Sequence, residues 1–164
     1  MDEQVMVVDA ENRPIGAAPR SEMRAKNLIH RAVYILVFNS KGELFRHQRT
    51  YTKDIYPGYF DVAVGGVVLA DETYEVAADR EFKEEMGIRD VPMQFRFDLF
   101  FEEPKSRVFG RVYSCVFDGE IVLQVEEILH GAFLPVETIV EEAKWLPYTP
   151  DGWMILERLL SNNY

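Results

Sequence analysis

Three glutamates at helical spacing are the residues in this chain best suited to chemistry. Glu81, Glu84 and Glu85 occupy positions i, i+3 and i+4 of a segment that reads as a helix, so they share one face with Cβ atoms about 5–6 Å apart. Like charges so placed repel, and Arg80 alone cannot neutralise three carboxylates. Hard oxygen ligands on a rigid element suit Mg²⁺ or Mn²⁺, and Mg²⁺ is usually bound by carboxylates together with substrate phosphates. A solvated acidic face is the alternative interpretation.

The helix that carries these glutamates is predicted over Thr73–Met86. Gly87 follows it, at the position where a left-handed residue commonly ends a helix. One face repeats apolar residues at i, i+4 and i+8, namely Ala78, Phe82 and Met86. A stripe of this kind predicts that one side of the helix packs against the core and that the glutamates lie on another side.

Apolar, β-branched runs predict the strands. They are Gln4–Val8, Ala32–Phe38, Glu43–Arg49, Phe60–Val68, Gln94–Glu102, Val108–Phe117 and Ala132–Leu134. Ser21–Asn27 reads as a short helical turn or a loop. Two further helices are predicted at Pro135–Glu142 and Asp151–Leu160, the second with Trp153, Leu156 and Leu160 on one face. Strands interleaved with helices indicate a layered α/β or α+β domain.

Composition excludes several classes of protein. The chain has 164 residues, 48% of them apolar, and a formal charge of −10, which predicts one globular domain over residues 1–164 and disfavours nucleic-acid binding. No apolar run approaches the roughly 20 residues of a membrane span, and the N-terminus lacks the pattern of a signal peptide. The single cysteine, Cys115, fits a reducing cytoplasm and is expected to pack as a small hydrophobe.

The residues around the three glutamates carry a longer pattern. Gly66 is followed after five residues by Glu72, and seven residues later by the run Arg80–Ile88. This arrangement resembles the Nudix box, here Gly66–Ile88, at every defined position. Phe82 stands where the family more often has an aliphatic residue, and since Phe82 lies on the apolar stripe we expect this to change packing only. The resemblance implies the Nudix fold, an α/β/α sandwich with a mixed central β-sheet.

The resemblance also implies an activity and a set of roles. Nudix enzymes use water and one to three divalent cations to cleave a diphosphate linkage in a nucleoside diphosphate joined to another moiety. By resemblance, Glu84 and Glu85 are the main metal ligands, Glu81 is a further ligand or the general base, and Arg80 holds Glu81 in place. The backbone carbonyl of Gly65 is expected to be another metal ligand, and Glu72 has a structural role.

Residues outside the box extend the candidate site. Arg49 and Lys53 precede the box strand and could contact phosphate, with surface cations as the alternative. Members of the family often supply one extra acid from a later segment, here Glu127, Glu102 or Glu103, and Glu127 is favoured. The three histidines show no metal-ligand spacing, so surface or core positions are expected for them; they are His30, His47 and His130.

Two other functions stay open at this point. The N-terminal strand and turn look most like the branch related to isopentenyl-diphosphate isomerase, but the cysteine that this branch needs is absent from Phe60–Gly66. A Nudix domain can also serve as a non-catalytic nucleotide sensor, usually with a degraded box, whereas this box is intact. Dimers are common in the family, which makes a homodimer an expectation by analogy.

Overall fold

The computed structural model describes residues 2–161, and within them the chain forms nine strands and four helices. The strands are β1 (Gln4–Val8), β2 (Pro14–Pro19), β3 (His30–Phe38), β4 (Leu44–Arg49), β5 (Phe60–Asp61), β6 (Val64–Val67), β7 (Gln94–Glu103), β8 (Ser106–Val116) and β9 (Ile128–Leu134). The helices are α1 (Arg20–Lys26), α2 (Tyr74–Met86), α3 (Val136–Glu142) and α4 (Pro150–Ser161). No helix in this part of the chain is long and apolar enough to span a bilayer.

Strand β3 is the centre of the sheet. It pairs in parallel with β8 along the nine residues from His30 to Phe38, and antiparallel with β1, β4 and β6. Strand β4 continues the sheet through β5 and β9, while β7 lies outside β8. The sheet therefore mixes parallel and antiparallel pairs, and the predicted mixed sheet is confirmed.

Successive side chains of β3 point to opposite sides of the sheet. Since these side chains are apolar at consecutive positions, both faces of the sheet are covered by helices. Val33, Ile35 and Val37 pack in one cluster with Phe82 and other residues of α2. Tyr34 and Leu36 pack in a second cluster with Ile139 of α3 and with Ile155 and Leu156 of α4. This is the α/β/α sandwich expected from the resemblance, and Ala32–Phe38 is indeed buried on both faces apart from its last residue.

Two sequence predictions need correction, and one strand is absent from them. Phe60–Val68 is not one strand: β5 pairs with β4, and the chain then crosses to β3, where β6 pairs. Strand β2 was not predicted because Pro14, Gly16 and Pro19 disfavour strands, yet it forms a hairpin with β1. Leu160 is not on the buried face of α4 but 53% exposed. The buried positions of that helix include Gly152, Ile155 and Leu156.

Candidate active site in the cleft beside helix α2

Helix α2 is fixed at both ends and along one side. The side chain of its N-cap residue Thr73 accepts a hydrogen bond from the Val76 amide at 3.2 Å, and Gly87 ends the helix in the left-handed region with φ 65°. The stripe of Ala78, Phe82 and Met86 is buried as predicted. Since these contacts set the rotation of the helix about its axis, they also decide where its glutamates project.

Glu81 and Glu85 lie together, and the Glu81 carboxylate lies against Gly66 of β6. Their carboxyl groups are within hydrogen-bonding reach of each other, and Glu85 is only 6% exposed. Burial raises the pKa of Glu85 well above its usual range, and the charge of Glu81 adds to the rise. Burial also raises the pKa of Glu81, although Arg80 opposes it. Two buried carboxyls in contact need a proton or a cation between them to be stable.

Arg80 connects the glutamates to the rest of the box. Its Nε donates to Glu72 Oε2 at 2.6 Å, its Nη1 to Glu81 Oε1 at 2.8 Å, and its Nη2 to the Val67 carbonyl at 3.2 Å. Burial alone would raise the pKa of Glu72, but the bonds from Arg80 and from the Leu69 amide lower it below the usual value. The structure thus contains the predicted contact between Arg80 and Glu81. Glu72 anchors Arg80 through its own hydrogen bond to the guanidinium.

Glu84 lies further out than the other two glutamates. Its side chain is 48% exposed, and its Oε2 is 3.3 Å from Arg80 Nη1. No three His, Cys, Asp or Glu side chains in residues 2–161 are close enough together to enclose a metal ion. The structure therefore brings Glu81 and Glu85 together and leaves Glu84 beside Arg80. Its role as a ligand stays a prediction.

The two glycines of β6 are required by their surroundings. A Cβ on Gly66 would lie 2.6 Å from Glu81 Oε1, so the absence of a side chain makes room for that carboxylate. Gly65 has φ +145°, and a Cβ there would lie 2.1 Å from the Val33 carbonyl oxygen. A side chain at Gly65 would collide with backbone, whereas a side chain at Gly66 would displace the carboxylate of Glu81, a candidate catalytic group.

Gly66→Ala is expected to lower activity more than stability. The flexible Glu81 side chain can move away from the new methyl group, which displaces its carboxylate but leaves the backbone in place. We expect kcat/KM to fall at least about tenfold with a small change in melting temperature. Steady-state kinetics and a melting curve measure the two effects. Gly65→Ala is the contrasting variant, because its methyl group meets backbone at positive φ and should mainly destabilise the fold.

A cleft with about 730 Å³ of empty space, counted to its open mouth, extends from these residues. Gly65, Gly66 and Glu85 line it, as do Lys53 and Glu127. Lys53 forms an ion pair with Glu127. The favoured extra acid therefore lies in the cleft, whereas Glu102 and Glu103 do not line it.

Arg49, the other predicted phosphate contact, also lines the cleft. Its guanidinium donates to the backbone carbonyls of Ile55 at 2.8 Å and Tyr56 at 3.3 Å. Arg49 therefore positions the loop that carries Lys53. Only the N–H groups that these two hydrogen bonds do not use are left for a ligand in the cleft. Arg20 and Arg24 of α1 reach the same cleft, and both pair with Asp54. Sequence reasoning missed these two arginines because α1 is far from the box along the chain.

The histidines divide between cleft and surface. His30 and His47 are 2% and 3% exposed and both line the cleft, while His130 is exposed and contacts Gln48 at 2.9 Å. Burial lowers the pKa of His47 to about 3 and that of His30 to about 4. Both rings are therefore neutral at physiological pH. Cys115 is buried in the core, as expected.

Asp61 is a second feature that sequence reasoning left without a role. It is 6% exposed and lines the cleft with Asp151, whose Oδ2 accepts a hydrogen bond from the Tyr34 hydroxyl at 2.7 Å. Burial and the charge of Asp151 raise the pKa of Asp61 from 3.8 to about 7. An acidic residue within the apolar run Phe60–Val68 is the signal that could have revealed it.

The raised pKa of Asp61 predicts a pH-dependent contribution to stability. The folded state keeps the proton at pH values where the unfolded chain has lost it, so stability falls as pH rises from about 4 to about 7. In Asp61→Asn the side chain does not titrate, so this loss of stability with rising pH is removed. We expect the variant to melt at least about 2 °C above the parent protein at pH 8, with the difference shrinking toward pH 4. An equal difference at pH 4, 6 and 8 contradicts the prediction.

Comparisons with known proteins identify the family of this chain. Residues 28–151 match the family model described as NUDIX domain. The chain belongs to the Nudix family. It is 45% identical over 158 residues to the uncharacterized Nudix hydrolase PA4841 of Pseudomonas aeruginosa, covering 96% of this chain and 94% of that protein. It is 40% identical over 161 residues to the uncharacterized Nudix hydrolase YfcD of Escherichia coli K12, with 98% and 88% covered.

Among solved structures, DR0079 from Deinococcus radiodurans is similar, with a TM-score of 0.82, 25% identity, and coverage of 95% of this chain and 98% of that one. As a Nudix protein, the chain is a hydrolase that acts on phosphorus-containing anhydrides. Nudix hydrolases generally use divalent metal ions and bind small-molecule substrates.

Proposed function

We propose that this Nudix hydrolase cleaves the diphosphate linkage of a small phosphorylated metabolite, a nucleoside diphosphate derivative, in the cleft beside α2. Mg²⁺ is the proposed cofactor, with Mn²⁺ as a substitute. Glu81, Glu84, Glu85 and the Gly65 carbonyl are the proposed ligands. The observation that supports the proposal most strongly is the contact of the Glu81 carboxyl with the buried carboxyl of Glu85, which lines the cleft.

The residues present fit a hard divalent cation. The donor set is oxygen only, and the absence of a side chain at Gly66 leaves room for the Glu81 carboxylate. Nitrogen and sulfur ligands, which zinc prefers, are absent from the set. A bound Mg²⁺ would neutralise phosphate charge and lower the pKa of a water nucleophile. The packing of α2 and the hydrogen bonds from Arg80 fix the positions of the carboxylates.

The cations of the cleft supply the remaining contacts. Lys53 lies close to Glu127 and can exchange this partner for a phosphate oxygen. Arg49 holds the loop that carries Lys53. Glu81 acts either as a further ligand or as the general base that takes the proton of the attacking water. Loss of a ligand raises the Mg²⁺ concentration needed for half-maximal rate, whereas loss of a base lowers kcat at saturating Mg²⁺, so Glu81→Gln distinguishes the two roles.

The direct test is a panel of nucleoside diphosphates, nucleoside triphosphates, sugar nucleotides and dinucleotides, assayed with Mg²⁺, with Mn²⁺ and with EDTA. We expect monophosphate products from at least one compound, no turnover in EDTA, and recovery when Mg²⁺ is added back. Tight binding without turnover under any metal would instead identify a sensor module. Conversion of isopentenyl diphosphate to its dimethylallyl isomer would identify the isomerase activity.

A further inference from the structure

Three arginines lie together at the end of the cleft that α1 forms. Arg20 and Arg24 belong to α1, and Arg49 is the last residue of β4; all three line the cleft. The charges of Arg20 and Arg49 both act on Arg24, so the guanidinium groups are close to one another. The chain as a whole has a formal charge of −10, which makes this concentration of positive charge a local exception. We call these three residues the arginine cluster.

The arginine cluster is electrostatically separate from the box glutamates. The charges that act most strongly on Glu85 are those of its neighbour in the box, of Lys53 and of Glu127. The charges that act most strongly on Arg24 belong to Asp54 and to the other two members of the cluster. The cleft therefore has a glutamate end and an arginine end, each with its own set of charged partners.

Carboxylates neutralise only part of the arginine cluster. Asp54 pairs with both arginines of α1, at 2.8 Å from Arg20 Nε and 3.1 Å from Arg24 Nε. Arg20 Nη1 also lies 3.3 Å from Glu3 Oε1. Arg49 donates to backbone carbonyls, which carry no net charge. Within residues 2–161, three guanidinium groups thus have two carboxylate partners, and positive charge is in excess.

Arg24 has more unused hydrogen-bond donors than the other two arginines. Its Nε donates to Asp54 Oδ2, and its Nη1 and Nη2 make no hydrogen bond within residues 2–161. The side chain is only 18% exposed. Burial lowers the pKa of Arg24 below its usual value, and the charge of Arg20 adds to the lowering, while Asp54 opposes it. A largely buried charge is costly unless an anion pairs it, so the structure leaves Arg24 short of a partner.

The unused donors identify the chemistry of that partner. A guanidinium presents parallel N–H groups that match two oxygens of a phosphate or a carboxylate. Arg49 Nη1 is also without an acceptor among residues 2–161, so donors converge from more than one arginine. A phosphate carries enough oxygens to bond several arginines at once, whereas a carboxylate has two. A neutral ligand would satisfy the donors but not the excess charge.

We propose that the arginine cluster binds a phosphate group of the substrate other than the two that the scissile linkage joins. Arg24 makes the main contact, and Asp54 competes with the phosphate for Arg20 and Arg24. This inference rests on the proposed function, which assigns the scissile linkage to the glutamate end. It makes the preferred substrate a compound with at least one further phosphate, as in a nucleoside triphosphate or a dinucleoside polyphosphate, in preference to a sugar nucleotide.

The test titrates the protein with inorganic phosphate in EDTA at constant ionic strength, followed by ¹H–¹⁵N NMR. We expect the amides of residues 20–26 and the Nε–H signals of the arginine cluster to shift. Arg24→Gln should weaken binding at least about tenfold, since a hydrogen bond to a charged group contributes roughly 1.5–3 kcal/mol. Lys26→Gln is the matched control on the same helix. Lys26 is 64% exposed and pairs with Glu22, so its replacement should leave the affinity within about twofold.

Asp54→Asn separates a phosphate site from a structural ion-pair network. If Asp54 competes with phosphate, removing its charge should tighten phosphate binding at least about threefold. If the arginines only hold α1 against the loop, the same variant should bind phosphate no better than the parent protein. A melting curve shows whether each variant is folded. Asp54→Asn decides the question by itself if Arg24→Gln is unstable.

The proposal is overturned if Arg24→Gln binds phosphate as tightly as the parent protein, or if Asp54→Asn fails to bind it more tightly. It is also overturned if the best substrate of the Mg²⁺ panel has only the two phosphates of the scissile linkage. With the best substrate, Arg24→Gln should raise KM more than it lowers kcat, because the contact is remote from the reacting atoms. The phosphate titration needs no hydrolysis, so its failure is separable from an absence of turnover across the panel.

Discussion

Glu85→Gln is expected to lower kcat/KM by about 10²–10³-fold, because loss of one carboxylate weakens the electrostatic stabilisation that a metal supplies, which is worth several kcal/mol. Stability should change in the opposite direction. Glu85 is 6% exposed and in contact with Glu81, so a neutral amide removes repulsion between two buried carboxyls. We expect the variant to melt at or above the temperature of the parent protein in EDTA. Kinetics with the best substrate of the panel and melting in EDTA measure both effects.

Glu75→Gln is the matched control for this experiment. Glu75 lies in the first turn of the same helix, but its side chain is 64% exposed and pairs with Arg111 outside the cleft. Its replacement should leave kcat/KM within about twofold, since surface ion pairs contribute at most about 1 kcal/mol to stability and nothing to the cleft. Full turnover in Glu85→Gln would refute the proposed role of that residue.

Arg80→Ala is expected to destabilise the fold by about 3 kcal/mol, which corresponds to a fall in melting temperature of roughly 6–12 °C for a domain of this size. The guanidinium bonds Glu72, whose side chain is 8% exposed, and Glu81, whose side chain is 13% exposed. Removing it leaves two largely buried carboxylates without their cation. Activity should fall as well, because Glu81 loses the bond that orients it.

Arg80→Lys separates charge from geometry. A lysine keeps the positive charge but cannot bond Glu72, Glu81 and the Val67 carbonyl at once. We therefore expect the lysine variant to recover much of the stability and less of the activity. If Arg80→Ala melted at the temperature of the parent protein, the network would have no structural importance, and the role of Glu72 as its anchor would be wrong.

Much of the fold and part of the site can be predicted from the sequence because the signals are local. The cap at Thr73, the left-handed Gly87 and the stripe of Phe82 and Met86 determine helix α2 within one segment. The spacing from Gly66 to Ile88 then locates the glutamates. The roles of these residues stay predictions, but the contact of Glu81 with Gly66 lies within a pattern of 23 consecutive residues.

The other features of the fold and of the site depend on contacts between segments that are far apart in the sequence. No local sequence pattern predicts such contacts. The break between β5 and β6 arises because one pairs with β4 and the other with β3. Asp61 meets Asp151 only when α4 returns to the sheet, ninety positions later in the sequence. Likewise, Arg49 reads as a free cation in the sequence, and only the folded loop shows that its donors are engaged by Ile55 and Tyr56.

Strand β3 contacts α2 and α4 through neighbouring residues. The Val33 side chain packs in the cluster with Phe82 of α2, and on the other face the Tyr34 hydroxyl donates to Asp151 Oδ2 of α4. Because consecutive side chains of a strand point to opposite faces, a one-residue insertion before Val33 would exchange the two environments. The packing of α2 and that of α4 therefore depend on one register of this strand, and a slip of one residue would disturb both helices together.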